Sequence, residues 1–229
     1  MSTRLIVDNT SQLHELEDRS QPLQTIAKII SYLFHPVCVP VYIILFLLYI
    51  HPTIFNGFSS WEKTVVLLQA IVPYALFPIV TVLLLKGLNF ISSFYLVTRR
   101  DRIIPYVACQ IWYFWIWNVW RNISGYPRAV PKELIVLALA VFLASVIGFL
   151  ANIYFKISMH AIAMGLMLSF LIMLGLREST NFGIYLSVAF LIAGLVCTAR
   201  FISSDHSKKE VYGGLFAGVM ALVIATAFV

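Results

Sequence analysis

The chain has 229 residues, 61% of them hydrophobic and 11% charged, with a mean hydropathy of +0.90. That balance excludes a water-soluble enzyme and a disordered segment, and it describes an integral membrane protein. The formal net charge of +6, from 16 Lys and Arg against 10 Asp and Glu, is confined to short connections. It offers nucleic acid no continuous basic face and makes anionic lipid the expected partner.

The first 24 residues are polar and of mixed sign, without the basic start, short apolar stretch and small-residue cleavage site of a secretory signal. They are expected to form a loosely held tail ahead of one domain over residues 25–229. Apolar runs then follow at 26–50, 64–86, 103–120, 133–155, 160–176, 182–200 and 211–229. Runs of about 17 to 25 residues cross a hydrocarbon core as helices. The expected fold is therefore all-α, a multi-pass transmembrane helical bundle with six or seven spans. A barrel would need shorter alternating segments, and an open sheet would leave backbone groups unpaired in lipid. Pro36 and Pro40 interrupt the hydrogen bonding of the first run, so 26–50 is expected to lie partly in the interface.

Four of the five tryptophans fall between Trp112 and Trp120. Such a segment suits either an aromatic belt at headgroup level or a groove for a long acyl or prenyl chain. Cys38, Cys109 and Cys197 all lie inside apolar runs, an arrangement that is neither a disulfide framework nor a metal site.

Ionisable groups are costly at membrane depth and collect where they face a cavity, a partner or the interface. Three clusters stand out: Arg99, Arg100, Asp101 and Arg102; Lys156, Ser158 and His160; and Arg200, Asp205, His206, Lys208, Lys209 and Glu210. Two crossings separate each cluster from the next, so all three fall on one membrane face. Guanidinium groups, two histidines, a serine and a carboxylate gathered there have the composition of a phosphate-ester site. Arginine's planar fork bonds phosphate oxygens in pairs and stays charged. Ser158 and His160 stand at the start of a helix, where free N–H groups favour an anion. His206 and Glu210 are four apart. If the last helix has begun by residue 206, the carboxylate can hold one ring nitrogen and leave the other free to attack. His160 is then placed to protonate the leaving oxygen. Each cluster also has a plainer account, as juxtamembrane positive charge, a snorkelling lysine or an ordinary helix-surface pair.

These residues resemble the type 2 phosphatidic acid phosphatases, which share a helical core with vanadium-dependent haloperoxidases. The third motif of that family is Ser-Arg, five residues, His, three residues, Asp; here Ala199-Arg200, five residues, His206, three residues and Glu210-Val211 keep the spacing, followed by Gly213 and Gly214. The second motif, Pro-Ser-Gly-His, looks like Ile157-Ser158-Met159-His160, without the proline and glycine. The first motif, Lys, six residues, Arg-Pro, is only loosely echoed between Arg99 and Pro105, with no lysine at the family's spacing.

The resemblance covers roughly Lys86 to the C-terminus. It implies a metal-independent lipid phosphatase with His206 as the nucleophile, Glu210 as its orienting acid and His160 as the general acid. Arg200, Ser158, Arg99, Arg102 and Lys156 would bind the phosphoryl oxygens. No cofactor is expected. A phosphate site at a bundle mouth suits phosphatidate, phosphatidylglycerol phosphate, a polyprenyl diphosphate or a phosphorylated lipid A. The rival reading is a non-catalytic lipid-phosphate binder or transporter on the same scaffold.

Counting Lys and Arg beyond the tail and the first run gives eight on the site face (Lys86, Arg99, Arg100, Arg102, Lys156, Arg200, Lys208, Lys209) and five opposite (Lys63, Arg121, Arg128, Lys132, Arg177). Positive-inside counting would make the site cytoplasmic. With the phosphate ligands Arg99, Arg102, Lys156 and Arg200 set aside the count no longer decides, and the resemblance implies an extracytoplasmic site in the cell membrane.

Overall fold

A computed structural model of the protein describes residues 4–7, 13–16, 21–90, 99–123, 129–178, 181–203 and 206–229, without the side chains of 4–7, 13–16 and 99–102. Ahead of the bundle, β1 (Arg4–Val7) and β2 (Leu13–Leu16) pair antiparallel, with Arg4 opposite Leu16. The first helix, α1, spans Gln21–Leu33, so ordered structure begins inside the stretch expected to be a tail. The other described elements are helices: α2 (Val39–Tyr49), α3 (Ser60–Ile71), a π-helical turn (Val72–Leu76), α4 (Phe77–Gly87), α5 (Arg99–Asn122), α6 (Lys132–Tyr154), α7 (Met159–Arg177), α8 (Gly183–Ser203) and α9 (Lys208–Phe228).

Among the described residues, five stretches are long and apolar enough to cross a membrane: 60–87, α6, α7, α8 and α9. At 24 residues α5 matches them in length, but its tryptophans, tyrosines and terminal arginines lower its apolarity. The expected first run, 26–50, is not one helix. It breaks at residues 34–38, where Pro36 cannot donate to a helical ladder and disfavours helix in the residue before it. Pro40 lies in the first turn of α2, where its missing N–H costs little.

The chain from His35 to His51 nonetheless runs the full depth of α7. The His35 ring meets His160 edge-on at 5.7 Å at one end, and His51 Nε2 lies 3.5 Å from Glu178 at the other. Ile44 and Leu47 of α2 are fully buried between these ends. At the second end Thr53 Oγ1–H donates to Glu178 at 2.7 Å, and the backbone N–H groups of Thr53 and Ile54 both point at His51 Nδ1. A polar cluster around the buried His51 thus pins the α2–α3 connection to the end of α7.

The stretch 60–87 stays continuous through two prolines. Pro73 removes a backbone donor inside it, and the helix widens into the π turn instead of breaking. Its start is fixed by a capping box: Glu62 N–H donates to Ser59 Oγ at 3.3 Å, while Ser59 N–H donates to the Glu62 carboxylate at 2.5 Å. It runs antiparallel to α5, with Trp120 Nε1–H donating to Gln69 at 3.1 Å and Phe77 tilted against Trp112, ring centroids 4.2 Å apart. The aromatic segment is therefore divided. Tyr113 and Trp120 are core residues, whereas Phe114 and Trp115 face outward.

α6, α7 and α9 form the centre. Leu134, Leu137, Ala138 and Ala140 of α6 are buried on several faces. α9 packs tightly on α7 through a stripe of small residues. A Cβ on Gly165 would collide with the carbonyl oxygen of Leu215, one on Gly218 with that of Ile162, and one on Gly214 would lie 2.7 Å from that of Ser158. Gly214 and Gly218 are four apart, the spacing that lets two helix backbones approach in lipid. By contrast α8 turns large apolar residues such as Phe190 and Leu191 outward, at 54% and 63% exposure, as a lipid-facing helix does.

Candidate functional site

The ends of α6 and α8 and the starts of α7 and α9 meet at one end of the bundle. The start of α5 belongs to the same end. Gln110 Nε2–H donates to the Ser145 carbonyl at 3.2 Å and Tyr106 packs on Phe149, so α5 and α6 run antiparallel in a register that brings Arg99 level with Lys156. The side chains of Arg99, Arg100, Asp101 and Arg102 lie outside the described residues, as does Asp205.

Ser207 caps α9: its hydroxyl accepts from the Glu210 N–H at 3.3 Å. The helix starts at Lys208, later than the pairing of His206 with Glu210 was expected to require, yet His206 Nδ1 lies 2.6 Å from the Glu210 carboxylate. Ser207 and Glu210 have the same Ser-x-x-Glu spacing as Ser59 and Glu62, where the carboxylate turns back to the cap backbone. At α9 the carboxylate is held by the histidine instead.

A carboxylate on Nδ1 fixes the proton there and leaves the lone pair on Nε2. The His206 side chain is 9% exposed. Burial pushes its pKa below the ordinary value, the hydrogen bond to Glu210 opposes this, and the charges of Lys156 and Arg200 lower it further. His206 is a neutral imidazole at pH 7 with its basic nitrogen unprotonated.

Ser158 caps α7, accepting from the Ala161 N–H at 3.4 Å, and its own N–H donates to the Glu210 carbonyl at 3.3 Å. The serine is fully buried, so it ties the start of α7 to the start of α9. Met159, which stands where the resembled motif has glycine, directs its thioether against Gly148 of α6. Its bulk is absorbed by helix packing.

The side chains of His160 and Arg200 converge on a residue that the sequence reading did not single out. His160 Nε2–H donates to the Ser31 carbonyl at 3.0 Å, and Arg200 Nη1–H donates to the Ser31 hydroxyl at 3.2 Å. The hydroxyl in turn donates to the Ala27 carbonyl. His35, one helical turn beyond Ser31, stands edge-on to His160. α1 and the turn after it thus supply a fourth wall, with Ser31 and His35 added to His206, Glu210, His160, Arg200 and Lys156. The signal was present as Ser31 and His35, polar residues four apart in a mostly apolar run that also holds Lys28.

Among the described residues no group of three or more His, Cys, Asp or Glu side chains is placed to hold a metal ion. What the arrangement offers is a neutral imidazole oriented by a carboxylate, a second histidine, and arginine and lysine charge around it. Set against known protein families, characterised proteins and solved structures, the chain has no match.

Proposed function

We propose that the protein is a membrane phosphatase that removes phosphate from a lipid through a phosphohistidine on His206. The observation that carries this reading is the 2.6 Å contact between His206 Nδ1 and Glu210, which spends a helix-capping carboxylate on orienting a histidine. In the first step the lone pair of Nε2 attacks phosphorus and the bond to the lipid oxygen breaks. His160, as general acid, gives a proton to that oxygen and regains it in the second step. In the second step water attacks the phosphohistidine, the P–N bond breaks, and His160 takes the proton from the water. Arg200, Lys156 and the arginines at the start of α5 neutralise charge on the equatorial oxygens. Ser158 serves the site as the cap that joins α7 to α9.

In this reading the bundle crosses the cell membrane seven times, through α2 with its flanks, 60–87, and α5 to α9. The site stands on the extracytoplasmic face.

A second reading, a lipid-phosphate binder without turnover, is favoured by one observation: His160 and Arg200 are both engaged by Ser31. Phosphate release by the purified protein in detergent, with chelator present, separates the two. The assay covers phosphatidate, phosphatidylglycerol phosphate, a polyprenyl diphosphate and a lipid A phosphate. The catalytic reading expects release from at least one and its loss in His206→Ala. Equal binding by both proteins without release from any would establish the binder.

A further inference from the structure

Ser31 presents two oxygens to the site. Its hydroxyl accepts from Arg200 Nη1–H at 3.2 Å and its carbonyl from His160 Nε2–H at 3.0 Å. A guanidinium and an imidazole that converge on a pair of oxygens are donors arranged as for an anion, and a serine of α1 holds them. α1 itself is weakly anchored. Of its 13 residues only Ala27 and Ser31 are buried, Leu23, Ile26 and Ile29 are exposed, and a groove of about 430 Å³ opens between it and α8. An element with so little buried apolar surface separates from its fold at low free energy. The chain after it has the form of a hinge. Residues 34–38, with Pro36, are not helical, Tyr42 Oη–H holds the Leu33 carbonyl at 2.8 Å, and α2 beyond is fixed by the buried Ile44 and Leu47.

We propose that α1 is a lid on the phosphate site: docked, it blocks the site with Ser31, and a phosphorylated lipid enters by displacing Ser31 as α1 swings out about residues 34–38. This regulation rests on the lipid-phosphate reading above and adds how access to the site is controlled. The exchange favours phosphate because its oxygens are charged, whereas the serine hydroxyl and carbonyl are neutral, and an arginine bonds two phosphate oxygens at once. The released helix also has a place to lie. Leu23, Ile26, Ile30 and Leu33 recur on one face and Gln21, Gln24 and Lys28 on another, the pattern of a helix that rests in the headgroup region.

The test follows hydrogen exchange of the full chain in detergent, with and without a saturating short-chain alkyl phosphonate, an analogue whose C–P bond is not hydrolysed. Calorimetry gives its affinity. Amides of α1 should exchange at least about tenfold faster with the phosphonate bound, while those at the starts of α7 and α9 should slow. Ser31→Ala removes the hydroxyl that Arg200 holds, so it should bind the phosphonate about tenfold tighter, the low end of what a hydrogen bond to a charged group contributes. Thermal unfolding shows whether the variant is folded, and the exchange measurement on the unaltered chain stands without it.

Amides of α1 that are equally or better protected with the phosphonate bound overturn the lid, and so does a folded Ser31→Ala whose affinity is unchanged or weaker. A chain that binds no phosphonate in either form overturns it as well. Phosphate release measured alongside keeps its fate separate from that of the catalytic reading. Exposure of α1 on phosphonate binding, with no release from any lipid, retires the phosphatase and keeps the lid. Release with α1 protected throughout does the opposite.

Discussion

Replacing Glu210 with Gln tests the centre of the mechanism with little change in shape. The carboxylate lies 2.6 Å from His206 Nδ1 and is 21% exposed, so the bond is charge-assisted and only weakly screened. As Nε2 forms its bond to phosphorus the ring gains positive charge, and the Nδ1 proton is bound more tightly by a carboxylate than by an amide. Hydrogen bonds to charged groups contribute about 1.5–3 kcal/mol. Losing that contribution in the transition state lowers kcat/KM by roughly 10- to 150-fold. The backbone carbonyl of Glu210, which accepts from Ser158, is untouched by the change, so the thermal midpoint should move little. The assay is steady-state phosphate release from the best lipid of the panel, alongside His206→Ala. A Gln variant within twofold of wild type, beside an inactive His206→Ala, would refute the orienting role of Glu210. A loss that tracks unfolding would refute it too.

Because burial holds the His206 pKa below 6.5, the acid limb of kcat/KM should have its midpoint under 6.5; Glu210→Gln should move it lower still, since Glu210 raises that pKa. The same shift sets the sign of the stability term. The unfolded chain binds the extra proton first, so the contribution is intact above about 6.5 and the thermal midpoint falls as pH drops below it. At the α7–α9 crossing, Gly165→Leu and Gly218→Leu should each cost at least about 1–3 kcal/mol in detergent unfolding, because the added atoms meet backbone carbonyls. Gly213→Ala, whose Cβ meets nothing within 4 Å, should be neutral or gain up to about 1 kcal/mol from helix propensity. A reporter fused at Val229 should lie across the membrane from a label placed at His206, since α9 starts at the site and is long enough to cross. Finding both on one side would overturn the crossing count.

Hydropathy made most of the helices legible because spanning length and apolarity are local properties. The runs 133–155, 160–176, 182–200 and 211–229 correspond closely to α6, α7, α8 and α9. The first run was legible for a local reason as well: the interruption expected at Pro36 is where it breaks, and the half that follows is short and buried. α5 shows the reverse, a 24-residue helix whose aromatic content hides its length from an apolarity measure.

At the site, what could be read was whatever follows from spacing along one element. His206 and Glu210 are bonded because four residues bring them together, although the first of them stands outside the helix. Ser158 was read as an anion ligand because it opens a helix, and a helix start asks for a cap before it can serve a ligand; here the hydroxyl answers that demand. The glycines after His206 looked like part of a motif, whereas Gly214 is where α9 meets the start of α7. Ser31 and His35 were the residues missed. They reach His160 and Arg200 across sequence separations of well over a hundred residues, and no periodicity within α1 encodes that meeting. What sequence does encode is the anomaly of polar groups in an apolar run, which acquires a meaning only when the bundle brings their partners to the same end.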